Sequence, residues 1–248
     1  MGSAEEDDMN FSRGWAVLRQ MALKDGFVNW ARGLAGLTAL IFAFGLTVAH
    51  AADTGEKPLR IVAFGDSITA GYGLQPEDSL PVKLEAALKA KGYRVAVTNA
   101  GVSGDTTAGG LARLDWTLAE KPALVIVALG GNDGLRGLDP NKTRANLDAL
   151  LAKLKARGVV VVLAGMLAPR NLGPEYAKVF DPIYADLAKK YDATLYPFLL
   201  EGVAVERALN QPDGIHPNPK GVAVIVERMA PVVAKAIDGL APKPSGGG

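Results

Sequence analysis

The chain has 248 residues, 27 basic against 26 acidic, for a formal charge of +1. That balance, with no basic run anywhere, leaves no electrostatic footprint for nucleic acid. There is no cysteine, which excludes disulfides and thiolate metal sites, and only two histidines, which disfavours a histidine-based zinc centre.

From Gly33 to Ala52 the chain reads GLAGLTALIFAFGLTVAHAA, with no charge, and Lys24 and Arg32 precede it. Ala49-His50-Ala51 is a small-x-small pattern, so the run reads as an export signal cut near Ala51/Ala52, giving a periplasmic or secreted product. The rival is a retained anchor, because about 20 apolar residues also span a bilayer. If it stays uncleaved, this segment is the chain's one expected membrane contact. The acidic start, Glu5-Glu6-Asp7-Asp8, is unusual ahead of such a signal and points to a later translation start at Met9 or Met21 as an open alternative. The predicted organisation is an extension and signal over 1–51, one domain over 52–240, and a disordered Pro/Gly/Ser-rich tail over 241–248. The mature part carries a net charge of +2, because 4 basic and 5 acidic residues lie within 1–51.

Arg60 to Phe64 is a compact apolar run and reads as a buried strand. Ser79 to Ala90 has Leu80, Leu84, Ala87 and Leu88 at helical spacing, with Ser79 or Asp78 available as cap and Pro81 in the first turn. Val95 to Thr98 alternates like a strand, and Thr106 to Ala119 reads as a helix. Leu124 to Leu129 is wholly apolar and ends at Gly130-Gly131. The stripe Leu147, Leu150, Leu151, Leu154 predicts a helix over 143–157, followed by a β-branched run from Val159 to Leu163. Pro174 to Tyr191 is helical, kinked or split at Pro182. Thr194 to Tyr196 is a short strand, and Asn218-Pro219 opens a last helix to about Asp238, bent at Pro231. Alternating strands and helices, with strands apolar on both faces, predict an α/β domain: a parallel sheet covered by helices on each side. Sites in such sheets gather beyond the C-terminal ends of the strands.

Four segments lie there. Gly65-Asp66-Ser67-Ile68-Thr69 places a serine at a tight turn just past a buried strand. It is neither Gly-x-Ser-x-Gly nor a Lys-bearing phosphate loop, and a plain turn serine is its bland reading. Asn99-Ala100-Gly101-Val102-Ser103-Gly104-Asp105-Thr106 offers a backbone N–H at Gly104, or merely a turn with Asp105 or Ser103 as helix cap. Gly130-Gly131-Asn132-Asp133-Gly134 can aim an Asn132 amide outward, or bond only to itself. Asp213-Gly214-Ile215-His216-Pro217 holds the one histidine of the mature chain, with a carboxylate three positions earlier to orient it. A third strong metal ligand is missing from that pair.

The set, in this order, resembles the SGNH (GDSL) hydrolase family, whose four blocks supply Ser, Gly, Asn and His. The matching residues are Ser67, Gly104, Asn132 and His216, over roughly residues 60–240. Stretches such as NAGVSGDTTAGGLARL, LGGNDGLRG and DGIHPN are most similar to its thioesterase I/lysophospholipase L1/arylesterase branch. The resemblance implies a flavodoxin-like three-layer α/β/α fold and a cofactor-free serine hydrolase acting on carboxylic esters or thioesters of small or medium acyl groups, of arylesterase, acyl-CoA thioesterase or lysophospholipase type; no metal is expected. It implies Ser67 as nucleophile, His216 as base, Asp213 as its orienting group, and an oxyanion hole from Ser67, Gly104 and Asn132. Ser103 is the lesser candidate nucleophile. Asp66 and Asp133 are expected to hold loop backbone rather than do chemistry. Met166, Leu167, Leu172 and Tyr176 are candidates to line an acyl site, against core packing as the bland reading. Two alternatives stand beside ester hydrolysis: a cell-envelope carbohydrate acetyl esterase or acyltransferase, and a non-catalytic ligand-binding module on the same fold.

Overall fold

The continuous apolar runs form the inner strands of a five-stranded parallel sheet in a computed structural model, which describes residues 57–240. The expected signal, its cleavage site and the C-terminal tail lie outside those residues. Strands β1 (Leu59–Gly65), β3 (Leu124–Ala128) and β4 (Val160–Ala164) are buried along most of their length, as strands apolar on both faces must be. The alternating run becomes β2 (Val95–Gly101) and the short one β5 (Thr194–Tyr196), and these are the two edges. The order is β2-β1-β3-β4-β5, the flavodoxin-like arrangement. Pairing of β2 with β1 runs three residues past the expected end at Thr98, because each residue from Leu59 to Gly65 finds a partner.

Right-handed crossovers fix where the helices go. The chain moves one way from β1 to β2, then reverses past β1 to reach β3, β4 and β5. Helix α2 (Leu80–Ala90) therefore shares a face with α8 (Pro219–Asp238), against which it packs. Helices α3 (Thr107–Thr117), α5 (Pro140–Ala156) and α7 (Ile183–Tyr191) pack in series on the other. Pro182 splits the 174–191 helix into α6 (Pro174–Phe180) and α7, since its nitrogen has no hydrogen to donate. Pro231, by contrast, sits inside an unbroken α8. Its neighbours Met229, Ala230 and Val233 are buried, and that apolar stripe offsets the missing hydrogen bond.

Two expected caps are corrected. Ser79 does not cap α2; its hydroxyl donates to the Pro76 carbonyl at 2.7 Å. The start of α3 is capped by Thr106, which accepts from Gly109 N–H, and not by Ser103 or Asp105. Two short helices have no counterpart among the expectations: α1 (Ser67–Ala70) and α4 (Gly131–Leu135). Both are too brief to show helical periodicity.

The register sets the site. Gly65 of β1 lies level with Gly101 of β2 and Ala128 of β3, so these strands end side by side. The loops that follow them meet where the strand order reverses, the customary crevice of an open α/β sheet.

Candidate active site

Ser67 opens α1 immediately after β1. Asp66 is the N-cap and accepts from Ile68 N–H at 3.1 Å. The first helical N–H groups have no partner within the helix, so the Ser67 N–H is available to a ligand. A side chain at Gly65 would strike the Ala128 carbonyl and Thr69, so only glycine allows so sharp a turn between sheet and helix.

The histidine loop is organised by one carboxylate. Asp213 Oδ1 accepts from the Ile215 and His216 N–H groups at 2.9 and 3.0 Å, while Oδ2 meets His216 Nδ1 at 2.7 Å. That double use explains the three-residue spacing: one oxygen closes the turn and the other orients the ring. Gly214, between them, holds φ +71°, a conformation natural to glycine. These N–H donors, His216 N–H foremost, hold the Asp213 carboxyl down to about 2. An ionised carboxylate only accepts, so Nδ1 carries the ring hydrogen and Nε2 presents its lone pair. His216 Nε2 lies 2.9 Å from Ser67 Oγ. The Tyr72 ring leans on the imidazole, with centroids 4.7 Å apart, and Gln211 Nε2 ties the loop to the Tyr72 carbonyl at 2.8 Å.

The Asn132 amide donates to the Asp105 carbonyl at 2.9 Å and approaches Asp66 Oδ2 at 3.4 Å. Gly104, next to Asp105, takes φ +81°, which again suits glycine, and its carbonyl accepts from Arg136 at 2.8 Å. Asp133 faces inward: it accepts from Thr107 N–H at 2.9 Å, and from the hydroxyls of Thr107 and Thr143 at 2.5 and 3.2 Å. It pins α3 and α5 to the Asn132 loop. Asp66 is buried, and that burial pushes its carboxyl up to about 6.

Asp66, Ser67, Asn132 and His216 line one cleft of about 450 Å³. Ile68, Leu135, Met166, Leu167, Phe198, Leu200, Val205 and Ile215 make its walls largely apolar. Met166 and Leu167 are thus on the wall, Met166 buried and Leu167 partly open. Leu172 and Tyr176 are not. Leu172 lies beside Gly137, and Tyr176 stacks on Phe180 and donates its hydroxyl to the Leu138 carbonyl at 2.7 Å. Ser103 is exposed, and the imidazole faces Ser67 instead. Tyr72, Phe198 and Val205 are contributors that no motif marks. Val205 holds φ +64° at the cleft mouth, a strained conformation for a β-branched residue. A serine hydroxyl, an imidazole lone pair and an orienting carboxylate in a line can generate an alkoxide-like nucleophile near neutral pH.

Comparison with known proteins identifies the family. The model of the GDSL-like lipase/acylhydrolase family matches residues 63–224. The esterase TesA of Pseudomonas aeruginosa is 41% identical over 201 residues, covering 81% of this chain and 96% of its own. The thioesterase 1/protease 1/lysophospholipase L1 of Escherichia coli K12 is 39% identical over 183 residues, covering 73% of this chain and 84% of its own. Among solved structures, AlinE4, an SGNH-hydrolase family esterase, is 49% identical with a TM-score of 0.63, covering 76% of this chain and 99% of that one. The fold, the order of the four loops and these relatives agree: the chain belongs to the GDSL-like lipase/acylhydrolase family and is an ester-hydrolysing enzyme.

Proposed function

We propose that Ser67 Oγ attacks the acyl carbonyl of an ester or thioester while His216 Nε2 takes its proton. The 2.9 Å contact between those two atoms is the observation that carries this reading. The protonated imidazole then gives its hydrogen to the departing alkoxide or thiolate, and Asp213 stabilises its positive charge. The tetrahedral oxyanion is held by the N–H groups of Ser67 and Gly104 and by the Asn132 amide; each such donor is commonly worth about 10²–10³ in rate. Water, activated by His216, cleaves the acyl-enzyme and restores Ser67. Ser67, Gly104, Asn132 and His216 follow one another in the block order of the resembled family, which supports hydrolysis over a non-catalytic binding module.

The acyl chain lies along Ile68, Met166, Leu167, Phe198 and Ile215. These are apolar walls, with Phe198 the one aromatic ring among them, which suits a hydrocarbon better than the stacked sugar of a cell-envelope glycan. Each CH₂ taken from water contributes about 0.8 kcal/mol, close to fourfold in kcat/KM. Hydrolysis of p-nitrophenyl esters should therefore accelerate from acetate to butyrate by up to about fourfold per carbon. Acetate as the best substrate of the series would instead favour the acetyl-esterase reading. Export to the periplasm or medium is part of the same proposal, supported by the uncharged run before Ala52. N-terminal sequencing of secreted protein should start near Ala52, and a start at Met1 on membranes would mean an anchor.

A further inference from the structure

Arg113 touches none of the groups assigned to the reaction, yet its guanidinium bonds to the Ser67 and Gly104 loops, and through Asp105 it reaches the Asn132 loop. It lies on α3 and is mostly buried, with its side chain 20% exposed and that of its partner Asp105 10%. Nε donates to Asp105 Oδ2 at 2.7 Å, Nη1 to the Ala100 carbonyl at 2.9 Å, and Nη2 to the Gly65 carbonyl at 2.9 Å. The guanidinium itself lies over the Phe64 ring, with Cζ 4.1 Å from the ring centroid. The carbonyls belong to the ends of β2 and β1, and Gly65 is two residues before Ser67. Gly65 O also accepts from Val102 N–H at 3.0 Å, and Val102 O from Asp105 N–H at 3.1 Å. Asp105 follows Gly104 directly, and its own carbonyl receives the Asn132 amide at 2.9 Å. A Cβ at Gly109 would strike Asp105 Oδ1, so the glycine leaves room for that carboxylate.

We propose that Arg113, acting through Asp105, is a positioning residue that holds the Ser67, Gly104 and Asn132 donors in register on the tetrahedral oxyanion. The inference rests on the reading of those three groups given above. A planar fork with donors in fixed directions can bridge one carboxylate and two strand-end carbonyls at once; a lysine ammonium, a single point on a flexible stem, cannot hold all three. Positioning of this kind acts on the transition state, where misplacement by a fraction of an ångström is costly, and little on the bound ester.

The test compares wild type with Arg113→Met, which keeps an unbranched side chain and removes the fork, and with Asp105→Ala. Each is assayed with p-nitrophenyl butyrate at a temperature where circular dichroism shows the native fold. Two inhibitors are used: butylboronic acid, which forms a tetrahedral adduct on the serine, and butyrate, which does not. The expected result is a fall in kcat of about 10–100-fold with KM within a factor of about three. Boronate affinity should weaken by the same factor as kcat/KM, with butyrate inhibition unchanged. Arg113→Lys should fall between wild type and Arg113→Met, and it carries the same comparison if neither other variant folds. Unchanged kcat in a folded variant, or equal weakening of boronate and butyrate, overturns the proposal. Failure of the underlying reading looks different: wild type itself would form no boronate or fluorophosphonate adduct on Ser67.

Discussion

Asp66 and Asp213 are carboxylates beside Ser67 and His216 respectively, and their surroundings drive them in opposite directions. Asp213 is open to solvent and accepts three hydrogen bonds within its own loop, which favour its charged form and hold it down to about 2. Asp66 is buried, and loss of hydration disfavours its charge, so it rises to about 6 despite the Ile68 N–H. The consequence for stability follows from linkage. A folded-state value above the unfolded one means the native protein binds more protons between pH ~4 and ~6, so Asp66 lowers stability as pH rises through that window. Asp66→Asn keeps an acceptor for Ile68 N–H and does not titrate. Its thermal midpoint should gain on wild type steadily from pH 4 to about 6 and hold that gain above. A difference that stays flat with pH, read by calorimetry, would mean that the Asp66 carboxyl is not buried in the charged form. Asp213 makes the opposite contribution, present above pH ~4 and lost as pH falls towards 2.

At the scale of elements, legibility followed length and burial. Apolar runs with no alternation could only be inner strands, and β1, β3 and β4 are inner strands. The Asn218-Pro219 start of α8 was visible because asparagine caps and proline suits a first turn, and Asn218 does accept from the Lys220 and Gly221 N–H groups. What escaped was short or depended on distant partners. Helix α1 covers 4 residues and α4 covers 5, less than two turns, so no periodicity could mark them, although they carry Ser67 and Asn132. Arg113 looked like any polar residue of an amphipathic helix, because its partners Ala100 and Gly65 are carbonyls 13 and 48 positions away. Tyr176 and Leu172 were apolar residues in a plausible loop, but α6 turns Tyr176 towards Phe180 and away from the cleft. Sequence spacing alone does not say which way such a helix faces.

At the scale of the whole molecule, the fold does one thing for the chemistry: it ends three strands level and reverses direction between β1 and β3. The serine loop, the Gly104 loop and the Asn132 loop then meet without any of them being long. The Asp213–His216 turn approaches from the far end of the chain, 149 residues after Ser67, and is tied down by Gln211 and by the Tyr72 ring. The central claim is that hydrolysis passes through Ser67 under the control of His216. The most direct measurement is kcat/KM for p-nitrophenyl butyrate in Ser67→Ala, with the fold verified by circular dichroism. The variant should lose about 10⁴-fold or more, because the nucleophile itself is gone and only binding and oxyanion donors remain. A folded Ser67→Ala protein that kept more than about a tenth of wild-type activity would contradict the account, since no effect of that size is left once the attacking oxygen is removed.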